Sequence, residues 1–355
     1  MKLILLYMVL ALSLMNCSKP TIPLYVGTYT YGESEGIYVL QFNTKTGELF
    51  DNQLAAKTDN PSFLAYSPNR EYLYAVNEKK AGSISGFKIN IDGTLDLINT
   101  VSSHGANPCH IALNKTGNIA VVYNYSSGTV SLYAVENNGV LNDAYQVFDN
   151  NIPDSISHAH SAQFYLDNLY VSDLGRNAVY NFGLSEDKKH YNLITPSIVA
   201  MPDNIGPRHF ALTNDGQFIY IINEYGNSIR SAKKVNGQFE PLEYISTLRD
   251  DFQGESNCAD IHLSKDESFI YGSNRGENTI VVFKRDPVTG TLKKIQSEDV
   301  HGNWPRNFTL DPTGRFLLVA NKKSNNISVF NVNQDTGELS FLKSTELPSP
   351  VCLLF

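Results

Sequence analysis

Apolar residues in this chain gather into short runs broken by polar turns, and the arrangement returns every 45 to 51 residues. In each unit a small or proline residue opens one apolar run, and a second run ends in Asn plus one more residue. The opening positions are Pro61, Pro108, Ala159, Pro207, Cys258, Pro305 and Pro350, with successive gaps of 47, 51, 48, 51, 47 and 45. The closing positions are Asn77, Asn124, Asp173, Asn223, Asn274 and Asn321, each sixteen residues on except Asp173 at fourteen. One unit reads in full. A strand from Arg208 to Leu212 meets the turn Asn214-Asp215-Gly216, and a second strand runs from Phe218 to Asn223. After Tyr225-Gly226-Asn227 a third strand begins at Ser228, and Asn236-Gly237 leads to a fourth. Asn-Gly and Asp-Gly between apolar segments are strong hairpin signals. Units of this length, with four short strands each, predict an all-β fold, a β-propeller of four-stranded antiparallel blades.

The two ends of the pattern complete each other. The first unit offers strands at Tyr25–Tyr29, at Gly36–Asn43 and after Gly47, but no opening strand. Residues Ser349 to Phe355 form an opening strand with nothing after it. Joining them makes seven blades closed by the C-terminal strand, which pairs the edges an open ring would leave bare. Length alone suggests two domains for 355 residues. The repeat overrides that prior and predicts one propeller domain over 20–355.

Residues 1–19 stand apart. Lys2 precedes a mostly apolar run from Leu3 to Met15, too short to span a bilayer, which reads as an export signal. Leu14-Met15-Asn16-Cys17 resembles a lipoprotein cleavage site, although Asn16 stands where a small residue is usual. Lipid on Cys17 would tether an exported domain to a membrane of the cell envelope without spanning it. A plain signal peptide with an incidental Cys is the simpler alternative. Beyond Cys17 the chain has Cys109, Cys258 and Cys352, an odd number placed on opening strands, so buried free thiols are expected and no disulfide. The formal charge is -8 and no Lys/Arg cluster exceeds a pair, which gives no footprint for nucleic acid. A monomer is expected.

Propeller topology turns spacing into a site. The starts of innermost strands, the ends of second strands and the loops between blades converge at one mouth of the central channel. One place after each opening position stand Ser62, Cys109, His160, Arg208, Ala259, Arg306 and Val351. The next places hold Phe63, His110, Ser161, His209, Asp260, Asn307 and Cys352. Second strands end on Glu78, Tyr125, Leu174, Glu224, Arg275 and Lys322, and the loops add His104, His158 and His301. Six of the eight histidines are thereby expected near one mouth, with His190 in an outer hairpin and His262 deeper on its strand. Charges gathered there need pairing or a ligand. A ring of salt bridges between blades is the plainer reading, and Arg208–Glu224 would serve it. Functionally, arginine offers a planar fork for a carboxylate, phosphate or oxyanion, and His and Glu can move a proton. The one Gly-x-Ser-x-Gly run, Gly32-Glu33-Ser34-Glu35-Gly36, joins two expected strands and opens no helix, so it is not a nucleophile elbow, which argues against an acyl-enzyme esterase. A metal is the weaker alternative: no HxxxH occurs, though His158-Ala159-His160 would put two imidazoles on one strand face. No cofactor is expected.

Ser157-His158-Ala159-His160-Ser161, Gly206-Pro207-Arg208-His209, Asn223-Glu224, Ala259-Asp260-Ile261-His262 and Ser273-Asn274-Arg275 resemble the seven-bladed propeller lactonases. That family includes propeller-type 6-phosphogluconolactonases and a carboxymuconate cyclase, and the resemblance runs from about Tyr25 to the C-terminus. It implies a catalytic set of His160, Arg208, Glu224 and Arg275, and their position at the mouth makes His110, Tyr125, His158, His209, Asp260 and Arg306 the expected substrate contacts. The expected reaction is hydrolysis of a sugar or sugar-acid lactone, with Glu224 or His160 activating water and arginine holding the oxyanion. Cytoplasmic members need no export signal, so the resemblance implies lactone chemistry more than it implies a phosphorylated substrate. Two alternatives share the scaffold: lactone formation on the same groups, and a non-catalytic binding propeller displayed on the envelope. The single Trp and the lack of any Trp-Asp pair weigh against the second.

Overall fold

A computed structural model describes residues 20–188, 190–195 and 198–355, so the leader 1–19 with Cys17 lies outside the described residues. Seven four-stranded antiparallel sheets form the blades of a propeller. The seventh opening strand, Pro350–Leu354, pairs with Thr21–Thr28 and closes the ring as the innermost strand of the first blade. The strand expected from Tyr25 starts earlier, at Thr21, because Thr21 to Val26 find partners from Asn43 back to Tyr38.

Burial explains why these segments read so clearly. Second strands such as Phe218–Asn223 are buried on both faces, sandwiched between neighbouring blades. Their apolar runs are therefore continuous. Outer strands such as Leu141–Asp149 alternate between buried and exposed positions, as one-sided strands do. Between blades lie apolar clusters, for example Phe218, Tyr220 and Ile222 against Cys258, Ile261 and Phe283.

Two polar devices repeat around the ring. Tyrosines of four second strands donate to glycine carbonyls in the outer turns of the next blade. The pairs are Tyr25 to Gly93 at 2.8 Å, Tyr74 to Gly139 at 3.1 Å, Tyr220 to Gly290 at 3.0 Å and Tyr271 to Gly337 at 3.0 Å. The closing asparagines are buried, and four of the five tie down the loop that enters the innermost strand, while Asn223 bonds Ser228 instead. Asn124 Nδ2 donates to Ser103 O at 2.7 Å and Asn274 Nδ2 to Thr247 O at 3.1 Å. Asp173 inverts the polarity, accepting from Ser157 Oγ at 2.5 Å and His158 N at 2.9 Å. Its shorter spacing has a local cause. Strands Ala159–Tyr165 and Asn168–Asp173 are joined by the two residues Leu166-Asp167, with Leu166 at φ 52°.

The closing strand is bound on every side: Leu353 N donates to Asn307 Oδ1 at 2.7 Å, Arg70 holds Phe355 O at 2.6 Å, and Val351 and Cys352 are buried. Deleting Ser349–Phe355 is expected to lower the melting temperature on the order of 10 °C or more, by exposing two strand edges and a cluster of core residues. Thermal melts of full-length and truncated protein that coincide would contradict closure by this strand.

Candidate active site

A β-bulge stands at the head of each innermost strand. Pro207 pairs with Asn223 but His209 pairs with Ile222, which leaves Arg208 as the extra residue. The same irregularity isolates Ser62, Cys109, His160 and Arg306, and in the strand Asn257–Leu263 it takes in both Ala259 and Asp260. A bulge re-aims side chains that strict alternation would send to opposite faces. Consecutive residues such as Arg208 and His209 thus both reach the channel.

At the mouth, Glu224 Oε2 lies 2.9 Å from Arg208 Nε and 2.8 Å from Arg275 Nη2. Arg208 is 2% exposed and Arg275 5%. Each guanidinium is also fixed by a backbone carbonyl: Arg208 by Ala259 O of the next blade, and Arg275 by Cys258 O of its own blade at 2.8 Å. Burial, then Arg275, holds the Arg208 guanidinium down to about 10. Its Nε faces Glu224 without an aligned N–H, so that donor has no hydrogen bond. A second acidic residue, Glu78, accepts from Tyr29 Oη at 2.8 Å and lies 3.7 Å from Arg306. Arg306 and Lys322 both sit over the Tyr29 ring. The mouth therefore holds Arg208, Arg275, Arg306 and Lys322 against Glu224 and Glu78, four positive charges to two negative, on a chain of net charge -8. Tyr125 stacks on His158 at 4.6 Å and meets His160 edge-on at 5.8 Å.

His110, His209 and Asp260 lie one residue further along their strands. Asp260 Oδ1 accepts from His209 Nδ1 at 2.7 Å, and Oδ2 accepts from His262 Nε2 at 3.1 Å and Asn307 Nδ2 at 2.6 Å. Backbone N–H groups of Ile261 and Phe308 complete its shell. With its lone pairs so occupied, Asp260 holds its neighbours in place. The His209 ring lies 5.2 Å from His160 and 5.8 Å from His110. Below this layer a cavity of about 300 Å³, lined by Phe63, His110, His209, Asp260 and His262 among others, continues towards the far ends of the innermost strands.

His160, Arg208, Glu224, Arg275, Tyr125, His158 and Arg306 thus share one mouth, and His110, His209 and Asp260 stand beneath it. His104 and His301 do not join them. His104 turns outward to Asp143 at 2.7 Å, and His301 stacks on Phe341 of an outer strand at 3.8 Å. Both belong to loops long enough to point either way, which strand spacing does not decide. Trp304 is a neighbour that spacing left out. It sits at φ 68°, under Arg275 at 5.4 Å and Lys323 at 3.3 Å, where other blades place Asn60, Asn107 or Gly206. A bulky residue in that backbone region was the available signal. Tyr29 and His262 were also readable, the latter from its i, i+2 relation to Asp260. Among the described residues no group of three or more His, Cys, Asp or Glu side chains is arranged to hold a metal ion. Cys109, Cys258 and Cys352 are buried free thiols.

The profile of the family described as "Lactonase, 7-bladed beta-propeller" matches residues 23–355. A 6-phosphogluconolactonase of Formosa agariphila is 36% identical over 90% of this chain and 95% of its own. One from Bacillus subtilis is 31% identical over 93% and 97%. Among solved structures, the periplasmic gluconolactonase of Pseudomonas aeruginosa superimposes with a TM-score of 0.88 at 30% identity, covering 94% of this chain and 98% of its own.

Three imidazoles are held neutral in this channel. Burial above all holds His110 and His160 well below the usual histidine value, with the His209 ring next for His110 and the Arg208 guanidinium next for His160. Burial brings His209 down to about 4 despite Asp260. An unfolded histidine takes its proton near pH ~6.5. Below that pH the unfolded chain binds more protons than the folded one, so stability falls as pH drops from about 6.5 towards 4. His262 is raised by Asp260 against its burial and works in the opposite sense, its contribution fading only as pH rises. With three groups against one, the melting temperature should decline on acidification below pH ~6.5 and His110→Phe should flatten the slope. Melts from pH 7 to 4.5 that stay level would contradict the neutral imidazoles.

Proposed function

Because the chain belongs to the seven-bladed β-propeller lactonase family, we propose that it opens a lactone by hydrolysis at this mouth. The observation that carries the reading is the convergence of two buried guanidiniums on one carboxylate beside a neutral imidazole. Glu224 fixes Arg208 and Arg275 in place, so their remaining N–H groups form a preorganised cradle. Preorganised donors of this kind stabilise charge that develops in a transition state. Water adds to the ring carbonyl carbon, and the carbonyl electron pair becomes an oxyanion held by the arginines. His160, a neutral imidazole beside the arginines, stands as the acceptor of the water proton. Collapse of the oxyanion breaks the ring acyl C–O bond and leaves the hydroxy acid.

The two surplus positive charges favour a lactone carrying a carboxylate or phosphate, with Arg306 and Lys322 gripping that substituent. Tyr125, His158 and Trp304 offer flat faces for a sugar ring. The apolar leader and Cys17 support export and lipid attachment, and the likeness to a periplasmic gluconolactonase supports export alone.

A panel of phosphorylated and unphosphorylated sugar lactones, followed by acid release, tests the activity. Arg275→Ala should lower turnover about 10²–10³-fold, the usual loss for one oxyanion donor. Arg275→Lys should restore little of it, because a point charge does not reproduce the planar fork. Loss of melting temperature with unchanged activity per folded molecule would assign Arg275 to structure alone. For the leader, Cys17→Ala is expected to yield soluble domain or unprocessed precursor, read by membrane fractionation and N-terminal sequencing. Wild-type protein that is soluble with another N-terminus would overturn the anchor.

A further inference from the structure

His160 has the right place for a base but poor means of keeping a proton. The cations around it are Arg208, Arg275 and Arg306, and no carboxylate bonds to its ring. An imidazolium formed there would be surrounded by like charge. Only 5.2 Å away, ring centre to ring centre, is an imidazole built differently. His209 Nδ1 donates to Asp260 Oδ1 at 2.7 Å, and a carboxylate can only accept, so the proton is on Nδ1 and Nε2 carries a lone pair. That Nε2 is buried and has no partner. Asp260 is in turn locked by His262, Asn307 and two backbone N–H groups. A buried carboxylate that fixes the tautomer of an imidazole and stabilises its protonated form is the supporting half of a hydrolytic triad.

We propose that the His209–Asp260 pair is the proton store of the reaction, filled and emptied through His160. The proposal rests on lactone hydrolysis at the mouth above. As water adds to the carbonyl carbon, its proton passes to His160 and on to His209 Nε2. The resulting imidazolium is neutralised by Asp260 across its Nδ1–H. When the oxyanion collapses and the acyl C–O bond breaks, the ring oxygen leaves with the electron pair and takes the stored proton back along the same path. One water is consumed and the pair returns to its starting form. Asp260 is a positioning residue in this scheme, acting only through His209. The charged and titratable groups that face His209 are Asp260, His110, His160, Arg208 and His262, and Asp260 alone among them is anionic.

The cavity beneath the pair makes the test specific. Its volume of about 300 Å³ admits a free imidazole, and its lining extends away from the substrate mouth along the strands Pro207–Leu212 and Asn257–Leu263. His209→Ala should lose turnover about 10²–10⁴-fold with KM changed less than about threefold. Imidazole added to the buffer should restore turnover saturably, without competing with the lactone. Asp260→Asn should show a similar loss in kcat, and the double variant His209→Ala/Asp260→Asn should be no worse than either alone. A structural role predicts lowered melting temperature, additive losses and no rescue. Turnover of His209→Ala within threefold of wild type, or a loss that imidazole does not touch while Arg275→Ala still shows its expected loss of turnover, would overturn the proton store and leave the lactonase reading standing. Wild-type protein that opens no lactone in the panel would instead remove the reading itself, and the store with it.

Discussion

The bulge after each opening position is the constraint on which the rest of the molecule depends. A regular innermost strand would send successive side chains to alternate faces, and only one of each pair would reach the axis. One extra residue per blade changes that. It brings Arg208 to Glu224 while His209, the next residue, reaches Asp260 of the neighbouring blade. The bulge is held from both sides. In five blades the buried Asn or Asp that closes the second strand bonds the incoming loop, and in each the neighbouring blade packs against the strand itself. Function at the axis therefore draws its precision from packing that is repeated seven times.

Charge is distributed along the axis in a way the overall composition conceals. An acidic chain places four cations at one mouth and answers them with two carboxylates, each held by hydrogen bonds or ion pairs to named partners. A layer deeper stands one carboxylate with two imidazoles on its oxygens. Buried arginines of this kind are costly unless paired, and their pairing through one shared oxygen of Glu224 leaves donors unspent. The same low-dielectric surroundings that make the arrangement expensive strengthen its action on an incoming anion or a developing oxyanion. Burial also keeps His110, His160 and His209 neutral, which is the form an acceptor of protons must have.

The chain also shows how one polar substitution is absorbed by its partners. Where five blades close on Asn, the fourth closes on Asp173, and the loop it holds presents donors in place of acceptors. The desolvation that raises the Asp173 carboxyl is opposed by these hydrogen bonds from Ser157, Arg176 and His158. This blade also carries His158 and His160, so the inverted anchor secures the segment that delivers both imidazoles to the mouth.

Much of this was legible in the residues themselves. The blade count, the closure by the last strand, and the grouping of His160, Arg208, Glu224 and Arg275 follow from periodicity, because a closed ring maps equal positions of every repeat onto one axis. Strand limits such as Phe218–Asn223 and Gly36–Asn43 were readable because turns with glycine and asparagine punctuate them. What periodicity does not encode is direction. Whether a loop histidine faces the axis or the rim depends on which neighbour offers a partner, and Asp143 and Phe341 drew His104 and His301 outward. Nor does spacing say that Asp260 spends its lone pairs on His209, His262 and Asn307, since those bonds join two adjacent blades as well as one strand. Sequence fixes which residues recur at a position. Only packing between blades, through the bulges and the burial they impose, decides which side chains meet and in which protonation state.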